Sequence, residues 1–356
     1  MKYNILITGA CGVTSRSVVR SLKISDKFST SRFVGTGVFN NKFSLYEGLH
    51  DVLYKVPNYD NKEYRDIIEK VIKKEKIDVA IIIPELEVCE WAKENFSTKY
   101  IVPPYNFCTK AIDKLILYND LKESGLVPNF ALVSRQDVMN EDLKQFDSFP
   151  LWIRDFSAGS TSGKGAFKIN NYEEAKAWVI INSNIERFLI SEFLSGGNYA
   201  CHLLYKNGEL KKIATYQRLE YFMKKVVPSG ISGNISEGKL VNNEKVSCVA
   251  IRAIEQLNKK YNTIMNGIVA VDLKCDSHEN PFITEINIRH VAGTSAFALA
   301  GFNIAEYQLL CALDRENEIP KEIEKIFPKY NLILRDIDGL PIWVENYKKV
   351  SNESFL

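Results

Sequence analysis

Four residues in the last third of the chain have the types and spacing for phosphate chemistry: Asp272, Glu285, Asn287 and Arg289. They fall in two apolar, β-branched runs, Gly267-Ile268-Val269-Ala270-Val271-Asp272 and Pro281-Phe282-Ile283-Thr284-Glu285-Ile286-Asn287-Ile288-Arg289. Between the runs lies the polar stretch Asp276-Ser277-His278-Glu279-Asn280. Two strands joined by such a turn are predicted to be antiparallel neighbours. Side chains alternate along a strand, so Glu285, Asn287 and Arg289 share one face, and the hairpin brings Asp272 close to them. Two carboxylates and an amide oxygen make a hard-oxygen set of the kind Mg²⁺ takes, and a guanidinium beside them suits a phosphate. The plainer alternative is a surface hairpin with scattered polar residues. The regular apolar residues at the intervening positions argue against it.

Other stretches could serve the same chemistry. Phe149-Pro150-Leu151-Trp152-Ile153-Arg154 reads as a strand ending in a cation, and it leads into Ala158-Gly159-Ser160-Thr161-Ser162-Gly163-Lys164-Gly165-Ala166-Phe167. Glycines and hydroxyls make this a mobile loop rich in N–H groups, suited to wrapping a polyphosphate. It is not a P-loop, because the GxxxxGK[ST] spacing fails. A long helix is predicted over residues 109–124, carrying Asp113-Lys114, and a strand over residues 188–194 that runs into Ser195-Gly196-Gly197-Asn198. Arg218, Lys224 and Lys225 are either acceptor contacts or a solvated rim. His290 is a candidate for an acceptor pocket, although a lone histidine is more often structural. Gly9-Ala10-Cys11-Gly12 lacks the third glycine of a dinucleotide fingerprint, and no convincing acidic residue follows the second strand, which argues against a nicotinamide cofactor. The seven cysteines form no CxxC pair and none has a histidine at a mechanistic spacing. Cys11, Cys201, Cys248 and Cys311 stand in apolar runs, so mostly buried, unpaired thiols are expected, with Cys108 at a helix start without a partner.

Glu285-Ile286-Asn287-Ile288-Arg289 resembles the Glu-φ-Asn-Pro-Arg signature of the ATP-grasp superfamily, most closely its carbamoyl-phosphate-synthase-like and biotin-carboxylase-like branch. Ile288 replaces the usual proline, which shapes the strand and is not a ligand. The resemblance implies ATP, two Mg²⁺ ions (Mn²⁺ able to substitute) held by Asp272, Glu285 and Asn287, and an acyl-phosphate intermediate. It implies that Lys114 and Arg154 reach the nucleotide phosphates and that Gly159, Ser160, Gly163 and Gly165 belong to a glycine-rich lid. Glu192, Phe193 and Leu194 match the adenine hinge, and Arg289 would hold the acyl phosphate. The family's Gly-x-Glu, whose glutamate holds the ribose, is here Gly196-Gly197-Asn198, so a ribose contact through Asn198 loses its charge-assisted bond, and a nearby glutamate could substitute. Lys114, Arg154 and Arg289 are the implied catalytic set. The implied reaction is ATP-dependent ligation of a small-molecule carboxylate, such as an amino acid, to an amine. Carboxyphosphate or carbamate chemistry on bicarbonate, and a nucleotide sensor without turnover, are the alternatives.

The elements that must position these residues belong to the α/β class. Alternating strand and helix signals at residues 3–8, 32–38, 64–76, 78–83, 85–94 and 100–102 predict a small parallel α/β domain, with Ser15 or Ser17 capping its first helix. A hairpin about Asn207-Gly208, a helix over residues 243–258, a helix over residues 304–313 and a strand pair over residues 332–344 about Asp338-Gly339 follow. The expected architecture is an ATP-grasp fold. It has a Rossmann-like (pre-ATP-grasp) domain at residues 1–107, a subdomain with a small lid at residues 108–194, and a C-terminal α+β subdomain with an antiparallel sheet at residues 195–356. A chain of 356 residues suits two or three lobes. With 46% apolar and 25% charged residues and a net charge of +2, nothing points to a nucleic-acid or membrane partner. Met1-Lys2-Tyr3-Asn4 runs straight into a strand without the apolar core of a signal peptide, so a cytoplasmic location is expected. A homodimer is compatible with all of this.

Overall fold

The structure is a computed structural model that describes residues 2–38, 49–155, 165–226, 229–230, 233–336 and 353–354. Short apolar runs alternate with amphipathic ones near the N-terminus, and they fold accordingly. β1 (Asn4–Ile7), α1 (Val13–Lys23), β2 (Arg32–Gly37), β3 (Val52–Lys55), α2 (Tyr64–Glu75), β4 (Val79–Ile81) and α3 (Glu85–Lys93) follow in order. β1 pairs in parallel with both β2 and β4, and β2 with β3. The strand order reverses at β1, so the C-terminal ends of β1 and β4 flank the crevice where an open parallel sheet takes ligands. Gly9 turns the chain there. Its φ is +63° and a Cβ would lie 2.8 Å from Pro84 Cγ, an approach that glycine alone allows.

Three local expectations need correction. Neither Ser15 nor Ser17 caps α1, whose N-cap is Gly12. Both serines lie inside the helix, Ser15 donating to the Thr8 carbonyl and Ser17 to Ser295 Oγ at 3.0 Å. Residues 100–102 form no strand; Lys99 alone bridges to Val79. Pro103 and Pro104 offer no N–H to a ladder, and the Ile101 carbonyl accepts from Gln308 Nε2 at 3.2 Å instead. The predicted long helix is split into α4 (Tyr105–Ala111), α5 (Lys114–Leu121) and a 3₁₀ turn at Lys122–Ser124. Asp113 separates α4 from α5 by capping the second, its carboxylate accepting from the Leu115 and Ile116 amides at 2.9 Å each.

β5 (Phe130–Ser134), α6 (Arg135–Met139), β6 (Leu151–Asp155), β7 (Phe167–Ile169), α7 (Tyr172–Ile181) and β8 (Arg187–Glu192) come next. The strands form an antiparallel sheet ordered β5-β8-β6-β7. Val138, Leu151, Ile153, Val179 and Phe188 belong to a small core of its own under α6 and α7. Alternation along β6 then points Trp152 and Arg154 to the opposite face.

β9 (Asn198–Lys206), β10 (Glu209–Tyr221), β11 (Ile235–Val241), α8 (Glu244–Tyr261), β12 (Gly267–Cys275), β13 (Pro281–Asn287), α9 (Thr294–Leu299), α10 (Ile304–Ala312) and β14 (Ile333–Leu334) complete the main body. Their strands form an antiparallel sheet ordered β13-β12-β9-β10-β11-β14. The predicted turn at Asn207 and Gly208 joins β9 to β10, with φ of 52° and 83°. β14 is the described part of the predicted C-terminal strand pair; Asp338 and Gly339 lie outside the described residues. β15 (Glu353–Ser354) pairs with β3. One face of this sheet shares a core with α8, Trp91 and Phe107. The other shares one with Ile5, Val18, Phe297 and Leu309. The parallel and six-stranded sheets therefore pack through common cores, while the four-stranded sheet has a core of its own and adds Leu189 and Phe130 to the first of them. Cys248 is exposed and Cys11 half-buried, against the expectation of burial; the remaining five cysteines are buried. Among the described residues no helix is long and apolar enough to cross a membrane.

Candidate active site

The β12–β13 hairpin forms as predicted. Asp272 lies directly opposite Glu285, and Ala270 opposite Asn287, so the two carboxylates and the amide share one face. A bulge follows immediately after Asp272 and breaks the ladder beside the carboxylates. Capping by Asp113 puts Lys114 at the first position of α5, where its side chain is almost wholly buried and Nζ lies 3.6 Å from Glu285 Oε1. From the four-stranded sheet, Arg154 reaches across to the hairpin. Its Nη2 donates to the Thr284 carbonyl and to Tyr118 Oη, both at 3.1 Å, and its guanidinium lies 5.4 Å from the Tyr118 ring. Two separate elements thus bring cations against the hairpin that carries the carboxylates.

These groups line a cleft of about 450 Å³ between the four- and six-stranded sheets. Glu192, Phe193, Leu194 and Asn198 stand on its wall, as do Lys114, Arg154, Asp272 and Glu285. β8 ends at Glu192, so Phe193 and Leu194 leave the strand ladder at the cleft edge. Gly165 adopts φ +67° and its carbonyl accepts from Trp178 Nε1 at 3.1 Å. Gly159, Ser160 and Gly163, with most of the predicted lid, lie outside the described residues.

Arg218 carries more of the site than the sequence assigned to it. Its Nη2 donates to Asp272 Oδ1 at 2.6 Å, and its Nη1 donates to Asn198 Oδ1 at 3.0 Å and to the Tyr199 carbonyl at 3.2 Å. Burial is the largest single influence and would lower this guanidinium, but Asp272, Tyr216 and Tyr221 together outweigh it and hold Arg218 well above its ordinary value. Asp272 itself is pushed up by burial, with Glu285 adding to the effect and Arg218 opposing it. Asn198 is committed at both ends, because its Nδ2 also donates to Tyr221 Oη at 2.9 Å. The expected ribose contact therefore competes with two bonds inside the protein. The glutamate nearest that turn, Glu279, accepts from the Gly197 amide at 3.1 Å and so fastens the backbone. Lys274, two residues beyond Asp272 and on the same face, also lines the cleft and donates to the Gly196 carbonyl at 2.6 Å. Its strand spacing from Asp272 was the signal that could have identified it.

Arg289 and Asn287 stand apart from the cleft wall. Arg289 Nη1 donates to the His290 carbonyl at 2.8 Å, and Nη2 lies 3.5 Å from Glu85 Oε1 at the start of α3. Glu85 is raised by burial, with Arg289 opposing and Glu285 adding to it. No spacing in the sequence could pair residues so far apart. Asn287 Nδ2 is 3.5 Å from the Ala270 carbonyl. His290 is fully buried, its Nε2 2.6 Å from Gln308 Oε1, and burial lowers it to about 4. It is a neutral structural residue that joins the hairpin to α10. Among the described residues no group of three or more histidines, cysteines and carboxylates could hold a metal. What the hairpin offers is two carboxylates and an amide oxygen, and a buried carboxylate with a raised pKa is one that a divalent cation would relieve.

A model of the ATP-grasp domain family matches residues 111–293. The chain belongs to the ATP-grasp family. Its fold is shared with the L-amino acid ligase from Bacillus licheniformis, with a TM-score of 0.63 at 15% identity over 90% of this chain and 77% of that one. N5-carboxyaminoimidazole synthetase from Staphylococcus aureus, complexed with ADP, gives 0.63 at 14% identity over 94% of this chain and 81% of that one. Biotin carboxylase from Campylobacter jejuni, in a β-γ-ATP complex, gives 0.60 at 13% identity over 88% and 71%. Identities this low show a common fold alone. No curated protein matches this ATP-grasp chain in sequence.

Proposed function

We propose that this ATP-grasp chain is an ATP-dependent ligase joining a small-molecule carboxylate to an amine through an acyl phosphate. The observation that carries the reading is the Asp272–Glu285 pair, opposed across one ladder and flanked by Lys114 and Arg154 inside the cleft. In the first step a carboxylate oxygen of the substrate attacks the γ-phosphorus and the bond to the β,γ-bridging oxygen breaks, releasing ADP. In the second the amine nitrogen attacks the acyl carbon, the acyl carbon–oxygen bond breaks, and phosphate leaves. Lys114 and Arg154 hold charge that builds on the phosphoryl oxygens, and Arg289 steadies the acyl phosphate. Asp272, Glu285 and the Asn287 amide oxygen would hold Mg²⁺, which when bound neutralises phosphate charge. Phe193 and Leu194 offer main-chain groups to adenine, and the stretch containing Gly159, Ser160, Gly163 and Gly165 excludes water. The division at residues 107 and 194 fits these roles, with the parallel sheet supplying Glu85 to the acceptor side.

One observation favours a second reading, a nucleotide-binding protein without turnover. Arg218 already occupies Asp272 at 2.6 Å, and a metal ion must compete with it. A single experiment separates the two. ADP release is measured with MgATP over a panel of carboxylates, bicarbonate included, each with and without amines, and Glu285→Gln serves as the background. Release that needs both substrates supports the ligase, whereas release with bicarbonate alone moves the reading to carboxyphosphate chemistry. Tight MgATP binding with every pair at the Glu285→Gln level would leave only the sensor.

A further inference from the structure

Tyr118 stands beside both cations of the candidate site. α5 carries Lys114 and Tyr118 four residues apart, so the two side chains leave the same face of the helix. Lys114 turns to Glu285, with Nζ 3.6 Å from Oε1. Tyr118 turns to Arg154, whose Nη2 donates to the phenolic oxygen at 3.1 Å and whose guanidinium lies 5.4 Å from the ring. The same Nη2 donates to the carbonyl of Thr284, the residue before Glu285. One guanidinium nitrogen therefore joins the Tyr118 oxygen to the strand that bears the carboxylate. The ring packs edge-on against Phe130 at 5.1 Å and is only 2% exposed, so it is held in place. What remains open of Tyr118 lines the cleft with Lys114, Arg154 and Glu285.

Tyrosines that serve structure in this molecule give their proton to the protein. Tyr261 donates to Asp120 Oδ2 at 2.6 Å, and Tyr100 to the Trp91 and Glu94 carbonyls at 3.1 and 2.8 Å. Tyr118 differs. A guanidinium can only donate, so the bond to Arg154 occupies a lone pair of Tyr118 and leaves its proton unused. Among the described residues none accepts that proton. Burial raises the phenol above its ordinary value, Arg154 opposing and Glu285 adding, so the proton stays on the oxygen. A buried donor without an acceptor costs stability, and an anionic oxygen entering the cleft would satisfy it.

We propose that Tyr118 is a further catalytic residue, donating a hydrogen bond to an oxygen of the terminal phosphoryl group between Lys114 and Arg154. That the anion is a nucleotide phosphate rests on the function proposed above. The bond strengthens as charge builds on the transferring group, and the proton remains on Tyr118 throughout. Tyr118→Phe removes the oxygen and keeps the ring, so the contacts with Phe130 and with the guanidinium face persist. Calorimetry on the full-length chain with MgADP and with the magnesium complex of β,γ-imido-ATP reads the contact. The variant should bind the imido analogue about tenfold more weakly than the parent, as loss of a hydrogen bond to a charged group does. Its affinity for MgADP, which lacks the terminal phosphate, should stay within about twofold. Arg154→Met, alone and combined with Tyr118→Phe, separates direct contact from positioning. A further loss of about tenfold for the analogue is expected in the double variant. No further loss would make Tyr118 a prop for Arg154 and overturn the contact. An equal loss for both nucleotides, or none for either, would also overturn it while leaving the ligase reading standing. Failure of the parent to bind either nucleotide would overturn that reading, and the role of Tyr118 with it.

Discussion

Asp272 shows how much one carboxylate is asked to do. It is half-buried, it faces Glu285, and it accepts from Arg218, whose second arm is held by Asn198. Glu285 is the less encumbered of the two carboxylates, with Lys114 Nζ at 3.6 Å. Glu285→Gln should therefore lower steady-state ADP release by about a hundredfold or more, as loss of a group that stabilises developing charge does. MgATP affinity by calorimetry should fall much less. A variant within about threefold of the parent rate would remove Glu285 from the phosphoryl site. The expectation for Asn198 changes with its bonds. Asn198→Ala should leave the KM for ATP within about tenfold, since neutral hydrogen bonds contribute roughly 0.5–1.5 kcal/mol each. Its main effect should be on kcat, by loosening Arg218. A double-mutant cycle with Arg218→Lys reads this directly: strong non-additivity in kcat is expected, and additive losses would mean that Asn198 acts independently.

Whole elements were legible where their determinants are local. The β12–β13 hairpin shows β-branched runs around a polar turn, and β9–β10 shows Asn-Gly between apolar runs, and each lies where the pattern put it. Two elements misled for physical reasons. Asp113 reads as one more helix residue until its carboxylate is seen capping Leu115 and Ile116. Ile101 has strand chemistry, yet its carbonyl is taken by Gln308 from α10. Contacts between distant segments, Arg289 with Glu85 and Arg218 with Asp272, had no local signature at all. Gly267 belongs to the same class. It opens β12 at φ +73°, and a Cβ there would stand 2.8 Å from Val102 Cα. Gly125 also has positive φ, at +65°, but a Cβ there meets nothing within 4 Å. Gly125→Ala should cost about 1–2 kcal/mol through backbone conformation alone. Gly267→Ala should cost about 1–3 kcal/mol more, because backbone atoms must shift. Urea denaturation of the two variants checks the difference; equal losses would mean that the 100–104 segment yields freely.

At the scale of the molecule, the parallel and six-stranded sheets share cores that hold titratable groups away from water. Burial lowers His50 and His290 to about 4, and pushes His202, flanked by Tyr216 and Phe297, well below its ordinary value. Unfolded, each takes a proton near its ordinary value of 6.5. Below that value the unfolded chain binds more protons than the folded one, so stability is lost as pH falls from 6.5 toward 4. Glu87 acts in the opposite sense. Burial raises it from 4.5 to about 7, with bonds to Thr8 and Tyr64 opposing. Between those values the folded chain holds the extra proton, so the contribution of Glu87 is present at low pH and lost as pH rises through 7. Three histidines outweigh one glutamate on the acid side, and Glu87 alone acts above 6.5. Stability from chemical denaturation should climb from pH 4.5, pass a maximum near neutrality and decline slightly by pH 8. Glu87→Gln should abolish the decline and gain, at pH 8 relative to pH 4.5, on the order of 1–3 kcal/mol. His202→Leu should flatten the acid limb, because neither ring nitrogen of His202 has a partner to lose among the described residues. Since Glu87 lies two residues from Glu85 on α3, the same titration bears on the Arg289 side of the site: ionising Glu87 loosens the helix that presents Glu85. A parent profile flat across pH 6.5–8, unchanged in Glu87→Gln, would show that water reaches Glu87 and that α3 is not under this constraint.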